Sequence, residues 1–155
     1  MSFETTITHN IMKYLNDLTC CITEKVKGEA ECSGRADING CFRGHSMRIE
    51  VKTPDNRNKP TKKQLWNLWQ WNNAGAICMV TYSLDTVKKV FDEMIDLRAG
   101  ERKIGWKTFD EENKCKSVVL YPYSRIKFET LYGLYYTTED KTENAVQNKT
   151  VGTSD

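Results

Sequence analysis

The sequence has no long apolar run. Its longest uninterrupted stretch, 76–80, has the length of a buried strand and falls far short of a membrane span. The first residues lack the basic and then apolar layout of a secretion signal, which sets export aside. Zinc-finger spacing is missing as well. The six cysteines (Cys20, Cys21, Cys32, Cys41, Cys78 and Cys115) include no Cys-x-x-Cys pair, and neither His9 nor His45 completes a zinc pattern. Free, mostly buried thiols in a reducing cytoplasm are expected instead. Asn148-Lys149-Thr150 matches a glycosylation acceptor, which carries no meaning on a chain that is not exported. No internal repeat is visible, and the net charge is only +2.

What is present suits one globular domain. The 155 residues are 39% hydrophobic and 28% charged, enough to bury a single core. The charge is unevenly placed. Residues 51–63 carry a net +4, against −1 on either side of them. A charge cluster is often a solvated loop, but this one follows directly on the residues singled out below and is a candidate phosphate contact.

Patterning along the chain gives an element order. Ser2 can cap a first helix on which Phe3, Ile7, Ile11, Tyr14, Leu15 and Leu18 form an apolar stripe. Residues 20–26 read as a strand and 27–35 as a polar loop. Two strand-like runs, 36–42 and 46–52, are joined by Arg43-Gly44-His45 as a hairpin. In the second run Met47, Ile49 and Val51 share one face, and Arg48, Glu50 and Lys52 the other. Thr61-Lys62-Lys63-Gln64 has the form of a capping box, opening a helix through Leu65, Leu68 and Trp69 to a stop near Gly75. A strand over 76–82 follows. Ser83 then caps a helix with Leu84, Val87, Phe91, Met94 and Ile95 inward and Gly100 as terminator. Beyond 100 the pattern weakens to one strand, 117–123, and a cluster of Tyr132, Tyr135 and Tyr136 that suits a core or an interface. Residues 137–155 are polar and read as a disordered tail. The order is that of an α/β sandwich around a mixed sheet flanked by helices.

The chemistry concentrates in Asp37, Glu50 and Lys52. Two carboxylates from adjacent strands can hold Mg²⁺ or Mn²⁺ while leaving coordination places for water and a phosphate. A lysine two residues after one carboxylate shares its face and can orient a water or stabilise charge on phosphorus. The strand period of two explains why the motif is Glu-x-Lys. Taken singly, each residue has an ordinary role: Asp37 as a turn acid, Glu50 and Lys52 as a solvent-facing pair. Their order, followed by a capped helix, favours catalysis.

An Asp, about a dozen residues and then Glu-x-Lys resembles the PD-(D/E)XK nuclease superfamily. More narrowly, GRADINGCFRGHSMRIEVKTPDNRNKPTKKQLWNLWQWNNAGA resembles the VRR-NUC family, with its G-x-x-D block, its E-V-K-x-P block and its T/S-x-x-Q helix start. The likeness covers residues 1–91 in element order and is densest over 34–82. Ala36 stands where the family usually has proline, a residue that shapes backbone and supplies no ligand. The resemblance implies a restriction-endonuclease-like core and a nuclease domain over 1–136, with its motifs in 1–98 and an extension over 99–136. It implies Asp37, Glu50, the Val51 carbonyl and Glu4 as metal ligands, Lys52 as catalytic lysine and Gln64 near the site. It also implies homodimers resembling Holliday-junction resolvases, cutting branched or structured DNA in a bacterial or phage-infected cytoplasm.

Other readings compete residue by residue. Gln64 has a structural use in the capping box, and Glu4 one as a first-turn acid on a helix dipole. His45 reads as a turn residue. Arg57, Lys59, Lys62 and Lys63 are the expected DNA contacts, against a plain solvated loop. Trp66, Trp69 and Trp71 cannot all be hidden by one helix, so at least one is expected at an interface or stacking on a base. At the level of the chain, a catalytically inactive nucleic-acid-binding module or an assembly protein are the rivals.

Overall fold

Ser2 is extended, and its hydroxyl accepts the Thr5 N–H, so the chain enters helix α1 (Phe3–Asn16) at its second residue. Strands β1 (Cys21–Lys25), β2 (Ile38–Phe42) and β3 (His45–Val51) follow as an antiparallel meander. Helix α2 (Lys62–Asn73) then crosses to β4 (Ile77–Thr81), which lies parallel to β3. After α3 (Leu84–Ile95) come β5 (Trp106–Asp110), β6 (Lys116–Leu120) and the short α4 (Phe128–Gly133). The computed structural model describes residues 2–27, 33–55 and 57–136. The 137–155 tail, part of the 27–35 loop and Cys32 lie outside them.

The six strands form one mixed sheet in the order β1-β2-β3-β4-β6-β5, flanked by helices on both faces. This is the expected α/β class. On one face α1 and α3 pack over Ile38, Met47, Ile49, Met79 and Val119. On the other, α2 and α4 pack over Cys78, Val80, Val118 and Leu120. Strand β4 is buried along its whole length because both of its faces are covered. Among the described residues no helix is long and apolar enough to cross a membrane.

Several local expectations hold. Thr61 and Gln64 close the capping box in both directions, and Gly75 follows α2 at φ +111°, as a helix-ending glycine does. Ser83 caps α3. Others need correction. The β2–β3 turn has two residues, Arg43 and Gly44, both with positive φ, and His45 is already paired with Phe42 at the start of β3. Helix α3 ends at Ile95, and Gly100 lies past it in a turn where Glu101 N–H donates to the Arg98 carbonyl. Strand β6 stops at Leu120: the Tyr121 N–H makes one more bond in register, to the Gly105 carbonyl, and Pro122 then has no N–H to continue the ladder. The pattern reading missed β5 altogether. It is an edge strand with no fully buried position, so it shows no alternation of buried and exposed residues. The five described thiols are free, but only Cys78 and Cys115 are buried.

The tyrosine cluster belongs to the second core. Tyr135 is buried and donates its hydroxyl to the Lys116 carbonyl, while Tyr136 donates to the Pro60 carbonyl. Trp69 donates its indole N–H to the Ile126 carbonyl and stacks with Trp66, whose ring meets Phe128 edge-on. Trp66 and Trp71 remain 44% and 40% exposed, so α2 indeed cannot hide all three. Asn72 ties this layer together. Fully buried, its amide nitrogen lies within hydrogen-bond distance of the carbonyls of Ala76, Leu120 and Tyr121, and its oxygen accepts from Ser124.

Candidate active site

The hairpin register sets the site. Ile38 pairs with Ile49, so Asp37 on the way into β2 falls beside Glu50 near the end of β3. There the ladder between the two strands runs out. The Val51 N–H donates instead to the Asp37 carboxylate, Oδ2 at 2.8 Å, and the Asp37 carbonyl accepts the Val26 N–H at 2.8 Å. Asp37 is thus fixed through main chain and side chain together, with its carboxylate held against β3.

Glu50 lies on the α2 face of the sheet next to Val80 and is only 2% exposed. Lys52 follows on the same face. Its backbone N–H donates to the Thr81 carbonyl, and its Nζ stands 3.3 Å from Glu50 Oε2. Burial pushes the Glu50 carboxyl up to about 9; the neighbouring Asp37 adds to this and Lys52 opposes it. With no cation bound, Glu50 therefore holds a proton at neutral pH and can share it with Asp37. Ionised, the two carboxylates offer acceptors to each other and no donor. In that ionised form Glu50 Oε1 is buried without a hydrogen-bond donor among the described residues.

An orphaned carboxylate oxygen facing a second carboxylate suits a hard divalent cation, which takes oxygen ligands and needs few from the protein. Among the described residues no three His, Cys, Asp or Glu side chains gather closely enough to hold a metal by themselves. The side-chain donors on offer are the two carboxylates; Val51 adjoins them through its N–H, which is spent on Asp37. Glu4 reaches the same region from the first turn of α1. Its carboxyl is raised by burial and then by Asp37, while Lys52 and Lys25 pull it down. It therefore feels both Asp37 and Lys52 without making a third ligand in the cluster.

The remaining candidates are more dispersed. Gln64 spends its side-chain oxygen on the Thr61 N–H, and among the described residues it makes no hydrogen bond to Asp37, Glu50 or Lys52. Arg57 pairs with Asp55 at 3.6 Å. Lys59 donates to the Tyr135 carbonyl at 3.2 Å, with its ammonium 4.2 Å from the Tyr136 ring centre. Lys62 stands over Tyr132, and the Lys63 stem lies across Gly34, where any Cβ would meet it at 2.6 Å. Of this loop, Lys59 rests its ammonium against Tyr135 and Tyr136 while the residue stays exposed. His45 opens β3, at the far end from Glu50.

Lys25 was missed by the sequence reading. It ends β1 opposite Ile38, one residue from Asp37, and its charge reaches Glu4. A lone exposed lysine at a strand end carries no pattern, and only the register could reveal it. No family model matches the chain, and no curated protein was found to be related to it.

Proposed function

We propose that this chain is a Mg²⁺- or Mn²⁺-dependent DNA nuclease of the VRR-NUC type, built on a restriction-endonuclease-like core. We read it as a structure-selective endonuclease that acts on branched DNA as a homodimer. The observation carrying this is the buried Glu50 carboxyl, wedged between Asp37 and Lys52 with one oxygen unpartnered. A buried acid in such a setting destabilises the fold unless something binds it, and clusters of this kind concentrate at functional sites.

Asp37 and Glu50 would hold the cation, which when bound supplies Lewis acidity and a water acidified for attack on phosphorus. Glu50 would give up its proton as the ion arrives. Lys52, released from sole pairing with Glu50, would place a positive charge and a donor where the phosphoryl oxygens gain charge. Glu4 and Lys25 would adjust the field around Asp37.

The test is cleavage of linear, flap and four-way-junction DNA by the full chain in Mg²⁺, Mn²⁺ and chelator, with Asp37→Asn and Glu50→Gln alongside. Metal-dependent cutting abolished in both variants supports the reading; wild-type rates in either variant would misplace the site. A second reading, a DNA-binding module without catalysis, draws on the structural bond between Asp37 and the Val51 N–H, which gives Asp37 a use without chemistry. DNA binding without cleavage of any substrate would favour it.

A further inference from the structure

The end of the sheet opposite the carboxylates holds a cleft of about 430 Å³. It opens where β3 and β4 begin, at His45 and Ile77, and where the chain leaves β6 at Tyr121. Glu50 lies five residues further along β3, about 16 Å away at strand spacing. The cleft is therefore separate from the candidate active site. Its volume falls in the range of ligand-binding clefts, roughly 300–1,000 Å³.

Its walls differ in character. Phe42, Ile77, Met94 and Tyr121, all buried, close its floor at the edge of the first core, and Tyr123, 60% exposed, is the aromatic side chain that stands open on its wall. Tyr121 also carries a buried hydroxyl that has no hydrogen-bond partner among the described residues. The rim is the segment that follows α3, from Leu97 to Lys103. Arg43, Arg98, Arg102 and Lys103 stand around the cleft, with Glu101 the one acid among its lining residues.

The pairing of these charges singles out two. Arg43 is spent on the end of α3, donating to the Met94 carbonyl at 3.0 Å, and Lys103 pairs with Glu93 at 3.4 Å. The Glu101 carboxylate accepts the Arg98 backbone N–H at 2.8 Å. The guanidinium groups of Arg98 and Arg102 enter no ion pair among the described residues, and both side chains are exposed.

We propose that this cleft binds a small organic anion with a flat apolar body, of about the size of a nucleoside monophosphate. The ring would lie against the open face of Tyr123 above that floor, where apolar area leaves water. The anionic group would meet Arg98 and Arg102, whose planar forks match phosphate or carboxylate oxygens two at a time. Neither half suffices alone: an anion without the ring forgoes the floor, and a neutral ring forgoes the rim. The assignment does not depend on the nuclease reading.

The experiment is an amide-resolved NMR titration of the full chain, in chelator, with AMP, adenosine and inorganic phosphate as separate probes. AMP is expected to shift the amides of Gly100, Arg102, Gly105 and Tyr121 saturably. Adenosine and phosphate should each bind at least about tenfold more weakly, because each engages only one half of the cleft. Arg98→Ala with Arg102→Ala should weaken AMP by at least about tenfold, since charge-assisted bidentate pairs are the strong ones. Both arginines are exposed, so an unchanged melting curve will show that this variant folds. Asp37→Asn should leave AMP binding as it is. Three results would overturn the proposal: no saturation at the named amides, shifts confined to the neighbourhood of Asp37 and Glu50, or phosphate alone binding as tightly as AMP.

Discussion

Replacing Glu50 with glutamine should make the metal-free protein more stable, and the gain should grow with pH. The folded state holds the Glu50 carboxyl at about 9, against an ordinary value of 4.5. Below the ordinary value both states carry the proton, and wild type loses nothing. As pH rises toward the folded value, the unfolded chain ionises first and folding must take up a proton. Stability then falls by about 1.4 kcal/mol per pH unit for an isolated group. Glutamine imitates the protonated acid at every pH: it can still accept from Lys52 and can donate to Asp37. Allowing for the coupling with Asp37, the variant should gain on the order of 3 kcal/mol near neutrality, or roughly 6–12 °C in melting temperature for a domain of this size. The assay is thermal unfolding in chelator across the window from the ordinary to the folded value, repeated with Mg²⁺. Magnesium should raise the wild-type melting temperature, more so at higher pH because ligation expels the proton, and should barely move the variant. A variant no more stable than wild type at the alkaline end would refute the argument that burial leaves Glu50 uncompensated.

Asp37→Asn should abolish cleavage yet keep the fold, since the amide oxygen can still accept the Val51 N–H; Asp37→Ala should in addition cost about 1–3 kcal/mol in chemical denaturation, by orphaning that donor. Lys52→Ala should retain DNA binding and lose a factor on the order of 10² to 10⁴ in single-turnover rate, and a fall in metal affinity instead would make the lysine an organiser of the carboxylates. Lys62→Gln with Lys63→Gln should flatten the slope of log affinity against log salt by about 0.9 for each phosphate that is no longer neutralised. Lys59→Gln should leave that slope nearly unchanged and lower the melting temperature, because its ammonium is bound to Tyr135. Asn72→Ala should be among the most destabilising single changes, by about 3 kcal/mol in denaturant unfolding, because it strips the side-chain donor from the buried carbonyls of Ala76, Leu120 and Tyr121.

The parts of this molecule readable from its sequence are those set by neighbours in the chain. Thr61 and Gln64 make each other's cap within one turn of helix, whatever lies around them. Gly44 marks the hairpin turn by supplying a positive φ, though not the length of the turn, and the two-residue period of β3 places Glu50 and Lys52 on one face without help from the rest of the protein. For the same reason the candidate site was visible as a pattern: Asp37, Glu50 and Lys52 lie within one hairpin and its exit.

Tertiary structure decided what depends on distant chain. Strand β6 enters between β4 and β5, a pairing order that no local signal encodes, and the edge strand β5 lacks the alternation that would have announced it. Glu4 comes to the carboxylates only because α1 packs back over the sheet, and Lys59 meets the Tyr135 carbonyl only because the distant chain end returns beside it. Above all, the sequence marks Glu50 as an acid but not as a buried one. Its proton affinity is a sum over neighbours brought from several elements, and desolvation, the largest contributor, exists only once those elements have closed around it.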